Sequence, residues 1–445
     1  MYSGKKNLLG EIGRVIHHHF PELVKMVEET VQDPRRKKST SYHISEIILA
    51  SVYMYMMRCG SRNSINIEGE FQTYKNNYKK LFGLSLPHMD TVDDVLEKLE
   101  VIYLEDLKVK LIKRLLQQRV MHKFRYNSQY FIVAIDGTGI YKFDKSPYSG
   151  CPYKTSKNGK ITYHQPVVEA KLVCSNGFSL SLATEFIINT DGNTKQDCEY
   201  SATIRILAKL KKHFQRLPMM VVLDGLYAKA PIMQTIKTNG WEFGIVWKDK
   251  TLYDLQDEIG QQIKEEQLLK FERTQFITKA NRIESTYTFS NKSMVYKSNI
   301  LYYAGVTETS IHLNCDKTTK TTITKTDTTT YKYLISTEPD KESIVSLVQT
   351  NRMRWKIENE GFNVQKNNGF ELHHKMNRHS LTAINNYYQC LQIADIFNQL
   401  IILCKNTTVE AYRTTIKMWE YFCSELRLLK YEPQITENQK INLRY

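Results

Sequence analysis

The chain has 445 residues, with 62 Lys and Arg against 47 Asp and Glu, a formal net charge of +15; 41% of residues are hydrophobic and 24% charged. That length can bury a full core and accommodates more than one domain. A basic surplus of this size favours a polyanionic partner, nucleic acid first and an acidic membrane surface second, with a merely solubilising surface as the alternative. No run approaches the ~20 apolar residues that cross a bilayer, the longest, near Leu400–Cys404, being far too short. The N-terminal MYSGKKNLLG has neither the apolar segment nor the cleavage site of a secretory signal. Eight cysteines are scattered without a CxxC pair or a Cys/His zinc spacing, as expected of packing thiols in a reducing cytosol. His17, His18 and His19 are consecutive and point apart on a helix, which disfavours a metal site there.

Residues 1 to about 126 read as a helical N-terminal domain. Apolar residues recur at helical spacing in SEIILASVYMYMM and in VDDVLEKLEVIYLEDLKVKLIKRLL, separated by breaks at residues 58–62 and at Pro87-His88. Asp90-Thr91-Val92-Asp93 carries the capping side chains and early acids of a helix start. The pattern then changes. YFIVAIDGTGIYKF has the β-branched, apolar content of a buried strand, and strands follow at QPVVEAKLVC and FSLSLATEFII around the turn Ser175-Asn176-Gly177. A helix fits Cys198–Phe214, a strand fits MMVVLD, a helix fits Pro231–Thr238 with Asn239-Gly240 ending it, and WEFGIVW forms a fifth strand. Three strands, helix, strand, helix, strand is the order of an RNase H-like sheet, so the expected class is α/β, a mixed sheet flanked by helices. Residues 250–336 depart from that order as a β-rich insertion with an exposed, positively charged Lys/Thr tract, DKTTKTTITKTDTTT. Helix resumes after Pro339 as far as Asn368, and a last helix covers Ser380–Cys404, its apolar stripe suited to the core or to a second subunit. The expected domains are therefore 1–126, a catalytic domain at 127–405, and a C-terminal tail at 406–445.

Two acids stand where a strand would not ordinarily place them. Asp136 interrupts IVAIDGTG, and Asp224 ends MMVVLDG. A buried, unpaired carboxylate costs several kcal/mol, so a metal or a cation has to compensate it. Each Asp-Gly pair alone also reads as a turn. In the RNase H-like order, however, the first and fourth strands are parallel neighbours about 4.8 Å apart. The two aspartates can then share a divalent ion, the arrangement used in two-metal phosphoryl transfer. Glu169 and Glu185, also within strands, are assigned to ion pairing or to strand exteriors.

A third acid comes from NRMRWKIENEGFNVQKNNG. This segment resembles the Y-R-E-K signature of bacterial insertion-sequence transposases of the DDE class, the insertion sequence four family. In that signature a Tyr is followed by Arg three residues on, by the catalytic Glu four later and by Lys seven later. RMRWKIE places Arg354 and Glu358 at the Arg and Glu positions, and Asp136 and Asp224 match the first two acids, the resemblance covering about residues 40–405. It implies catalytic and metal-binding roles for Asp136, Asp224 and Glu358 and a Mg²⁺ cofactor that Mn²⁺ can replace. It also implies cleavage and strand transfer of double-stranded DNA at element ends and target, and a homodimer in the DNA complex. The setting would be the bacterial cytoplasm, associated with the nucleoid, with no membrane role. The alternative is a nuclease-only or catalytically inactive, transposase-derived DNA-binding protein.

Asn351 stands at the Tyr position and Gln365 at the Lys position, with Lys366 one residue late. On a regular helix Gln365 shares the face of Arg354 and Glu358, and Lys366 lies about 80° from Glu358. A π-bulge near Gly361 would swing Lys366 back, since such bulges add one residue. Arg354, Lys366 and Gln365 are accordingly candidate DNA contacts. So are Lys154, Lys160 and His164 in YKTSKNGKITYHQ, where contacts would go to phosphates. A solvated loop is the competing reading of that segment.

Overall fold

The computed structural model describes residues 8–36, 40–189, 197–248, 252–264, 268–278, 281–315, 322–404, 412–432, 441 and 443–444. The chain is mixed α/β. Its N-terminal part is helical: α1 (Leu8–His19), α2 (Leu23–Thr30), α3 (Ile44–Met56), α4 (Arg62–Glu68), α5 (Gln72–Phe82), α6 (Met89–Leu96) and α7 (Val101–Gln117). Strands then alternate with helices. They run β1 (Phe131–Phe143), β2 (Tyr153–Thr155), β3 (Ile161–Val173), β4 (Ser179–Phe186), α8 (Glu199–His213), β5 (Met219–Leu223), α9 (Ala230–Thr238) and β6 (Glu242–Val246). The expected order of strands and helices through this stretch is present, with the short β2 as an addition.

The insertion holds a helix that periodicity missed, α10 (Tyr253–Lys264), before β7 (Leu269–Phe276), β8 (Asn281–Phe289), β9 (Met294–Tyr296), β10 (Asn299–Cys315) and β11 (Thr322–Ile335). Part of the Lys/Thr tract, residues 316–321, lies outside the described residues. The rest forms the start of β11, exposed from Lys325 to Thr330, where Thr307–Thr330 and Thr309–Thr328 hydroxyl pairs bridge the β10–β11 hairpin. After it come α11 (Ile344–Arg352), a 3₁₀ turn (Met353–Trp355), a π turn (Ile357–Phe362), α12 (Asn363–Asn367), α13 (Leu381–Leu403) and α14 (Thr415–Leu428).

Two compact units emerge, and they interleave in sequence. The first comprises Met1–Lys123, Gly137–Ile206 and Glu358–Tyr445. In it α13 packs on α3 and α7 and against β4, so the N-terminal helices share one core with the end of the chain. The reason lies in α13, whose residues from Ala383 to Ile401 are all buried and so need cover all round. Its apolar stripe is a core element of this unit. The segment expected as a tail contains α14, which buries Met418, Trp419, Phe422 and Leu426. The second unit comprises Phe124–Asp136 and Leu207–Ile357. There β1, β5 and β6 run parallel, β11 joins β6 antiparallel, and β10, β8 and β7 extend the sheet in antiparallel register. The β1 and β5 segments that pair in this unit are buried throughout, as their unbroken apolar runs require.

Candidate active site

The register of β1 on β5 sets the site. Ile135 pairs with Leu223 as the last partners of a parallel ladder, and Asp136 and Asp224 are the next residues of the two chains. Both aspartates therefore stand side by side at the C-terminal ends of this parallel pairing, where open α/β sheets bind ligands. β6 ends beside them, Leu223 pairing with Ile245, and brings up Lys248 three residues later. Gly225 makes this convergence possible: a Cβ there would lie 2.8 Å from the Val246 carbonyl oxygen and 3.2 Å from the Lys248 side chain.

Each aspartate has a cation. Arg354 Nη1 donates to Asp136 Oδ2 at 3.3 Å, and the Arg354 side chain is only 8% exposed. Lys248 Nζ pairs with Asp224 at 3.0 Å from a half-exposed side chain, and the Gly225 amide donates to Asp224 Oδ1 at 2.6 Å. Arg354, expected as a DNA contact, is thus turned inward onto the first aspartate. Its neighbour Trp355 faces outward, 49% exposed, edge-on to Tyr331 with ring centroids 6.4 Å apart. Arg352 lies 4.7 Å over that same Tyr331 ring and pairs with Glu308 at 2.6 Å. Lys248 and Trp355 escaped the sequence reading; a lysine just past the end of a third parallel strand was the available signal for the first.

Two adjacent carboxylates are hard oxygen donors of the kind Mg²⁺ and Mn²⁺ prefer, and they keep some solvent access. Among the described residues no group of three or more His, Cys, Asp or Glu side chains is gathered to hold a metal ion. Glu358 is half-buried on the π turn, in the first unit.

That π turn is the feature expected near Gly361. Gln365, expected as a DNA contact, is fully buried, and its amide donates to Asp395 at 2.7 Å and to Gln392 at 3.0 Å. Lys366 is half-buried with its ammonium 5.9 Å from the Phe362 ring centroid. Asn351, at the Tyr position, is buried against Gly244, where a Cβ would fall 1.6 Å from Asn351 Oδ1. Glu185 pairs with Arg205 as expected of it. Glu169 is neither paired at the surface nor on a strand exterior; it is wholly buried and accepts from Ser181 at 2.6 Å and Thr184 at 2.5 Å.

The basic loop is a hairpin. β2 pairs with the start of β3, Tyr153 opposite Tyr163 and Lys154 opposite Thr162, and Gly159 takes the left-handed φ of +76° at its turn. Lys154, Lys157 and Lys160 are exposed along it. His164 is half-buried, and its pKa is held below the usual imidazole value by burial and then by the positive charges of Lys154 and Lys142, with a backbone hydrogen bond opposing. No helix among the described residues is long and apolar enough to cross a membrane.

No protein-family model matches the chain, and no curated protein matches it. Among solved structures, it is similar to the piggyBac transposase in a synaptic complex with hairpin DNA. The similarity is at 11% identity and a TM-score of 0.41, over 93% of this chain and 79% of that one.

Proposed function

We propose that this chain is a DDE-class transposase of the insertion sequence four type, built on an RNase H-like core, that nicks double-stranded DNA at element ends and transfers the freed 3′ end to a target. The observation that carries this reading is the in-register placement of Asp136 and Asp224 at the ends of the parallel β1–β5 pairing. Glu358, at the Glu position of the RMRWKIE match, is the proposed third acid. Bound Mg²⁺, or Mn²⁺ in its place, supplies Lewis acidity to the attacking and leaving oxygens of phosphoryl transfer. The protein's share is positioning and charge. Arg354 holds the Asp136 carboxylate in a fixed orientation from a nearly dry position. Lys154, Lys157 and Lys160 on the hairpin give sequence-independent phosphate contacts, and Lys366 on α12 adds a further cation. Trp355 offers an aromatic face on which an unstacked base can rest. A homodimer on DNA in the bacterial nucleoid belongs to the same reading.

The test is nicking of duplex DNA carrying the sequence that flanks the gene, in Mg²⁺ or Mn²⁺. Asp136→Asn and Asp224→Asn are each expected to lower the nicking rate at least 10³-fold while duplex binding stays within about twofold. Undiminished nicking by either variant overturns the proposal. A second reading has one observation in its favour: both aspartates already carry cationic partners. It is a transposase-derived DNA-binding protein that is nuclease-only or inactive, and the same assay identifies it through binding without strand transfer or without any nicking.

A further inference from the structure

Strand β7 is bonded along one side only. It pairs with β8 as the last strand of the sheet in the second unit, and no strand among the described residues lies along its far side. Apart from the half-buried Phe271 its residues are exposed, Phe276 at 72%. Such an edge presents backbone N–H and C=O groups to which another strand can bond. Proteins blunt these edges with charge, and β7 carries Lys270, Glu272 and Arg273. Whether these charges repel or attract a second copy of the strand depends on the register.

In an antiparallel ladder directly opposed residues share a face, so two copies of one strand related by a two-fold axis must oppose some residue to itself. An axis at Lys270, Glu272 or Arg273 sets like charges against each other, which is destabilising. An axis at Thr274 opposes Glu272 to Phe276 and Arg273 to Gln275 and pairs no opposite charges. An axis at Phe271 is different. It sets Phe271 against its own copy, Lys270 against the partner's Glu272, and Leu269 against the stem of the partner's Arg273, with each unlike pair made twice. The sheet behind the edge favours the same axis. Phe271 opposes Tyr287, Tyr287 opposes Val306 and Val306 opposes Tyr331, so these side chains form one line on one face across four strands. The Phe271 and Tyr287 ring centroids are 6.1 Å apart. Two such lines meeting at Phe271 continue as a single apolar row, held by cross-strand aromatic contacts.

We propose that the β7 edge binds a second copy of this chain: two β7 strands pair antiparallel about an axis at Phe271 and join two sheets into one. The pairing does not rest on the DNA reading and is measured without DNA, so its failure leaves that reading untouched. The ladder covers Leu269–Arg273 of each copy, a small interface, and the dimer is expected to dissociate on dilution.

Sedimentation of the full-length, DNA-free protein from micromolar to submillimolar concentration measures the equilibrium. The parent is expected to pass from monomer to dimer as concentration rises. Lys270→Glu turns both ion pairs into like-charge pairs and is expected to weaken dimerisation about 10-fold or more. Adding Glu272→Lys restores both pairs with their signs exchanged and is expected to return the affinity to within about threefold of the parent's. A second measurement reads the axis. A residue opposed to itself is the one best placed to form a disulfide with its own copy. Of single cysteine substitutions at positions 270 to 274, Phe271→Cys is therefore expected to cross-link most in oxidised glutathione, above the parent's background. A parent that stays monomeric overturns the proposal, as does a dimer that Lys270→Glu leaves unchanged or that the double reversal does not restore. Cross-linking strongest at another of these positions moves the axis and overturns it too.

Discussion

Arg354 and Lys248 both neutralise an aspartate of the same pair, but their surroundings give the two contacts different weights. The Arg354 side chain is 8% exposed, and removing it takes a cation from Asp136 in a poorly hydrated setting. Breaking a buried pair by one partner costs 3–5 kcal/mol, and Asp136 keeps slight solvent access, so Arg354→Met is expected to lower stability by about 3 kcal/mol. Lys248 is 51% exposed, and solvent screens its pair with Asp224. Lys248→Met is therefore expected to change stability by less than about 1 kcal/mol, the ordinary worth of a surface pair. Urea unfolding of the two variants checks this; equal losses would mean that Arg354 is not held as the structure shows. Asn351 and Gly244 illustrate a residue-scale match of another kind, since the asparagine occupies the space a Cβ on β6 would need.

At the scale of elements, the β2–β3 hairpin joins a cluster of lysines to a histidine that feels them. Burial and the neighbouring lysines depress the His164 pKa in the folded protein. The unfolded chain then binds more protons than the folded one between the depressed value and the usual 6.5, so the stability due to His164 is fully present above pH 6.5. It declines as pH falls through the folded value. His164→Gln is expected to flatten that part of the stability–pH curve, with no change above pH 7.5. Thermal unfolding at half-unit steps from pH 7.5 to 5 measures it, and an unaltered slope in the variant would show that His164 does not titrate as its surroundings require. The hairpin is also where like charges are crowded without a balancing acid among its exposed residues 153–161, a cost that a bound phosphate backbone would relieve.

For the molecule as a whole, the surplus of 15 positive charges sets how the proposed binding to DNA should respond to salt. If about six phosphates are neutralised, affinity falls about 10³-fold between 50 and 200 mM salt. Replacing Lys154 and Lys160 together by alanine is expected to reduce the slope of log affinity against log salt by about 2, one for each phosphate that is no longer neutralised. Filter binding or fluorescence anisotropy with a labelled duplex gives the slope directly. A flat response in the parent protein would remove nucleic acid as the principal partner, and an unchanged slope in the double variant would place the hairpin away from the duplex.

Much of the architecture was legible because it is local. The apolar runs around Asp136 and Asp224, the turn at Asn176-Gly177 and the helix start near Asp90 depend on neighbours a few residues away, and each element lies where periodicity puts it. The π turn at Gly361 was legible too, from a spacing one residue too long. Two helices were not. α10 lies in a stretch whose strand-like pieces outweighed its amphipathic pattern, and α14 takes its place only by burying Trp419, whose indole N–H donates to Asn398 of α13 at 2.8 Å. The side-chain surroundings that were not legible are those set by long-range contact. Asp136 and Asp224 are 88 positions apart by their numbering, and only the parallel register of β1 and β5 makes them neighbours. Gln365 and Lys366 are adjacent in sequence, yet the buried Lys171–Asp395 pair decided which one faces the core, because a dry ion pair needs hydrogen-bonding partners that no surface lysine could supply.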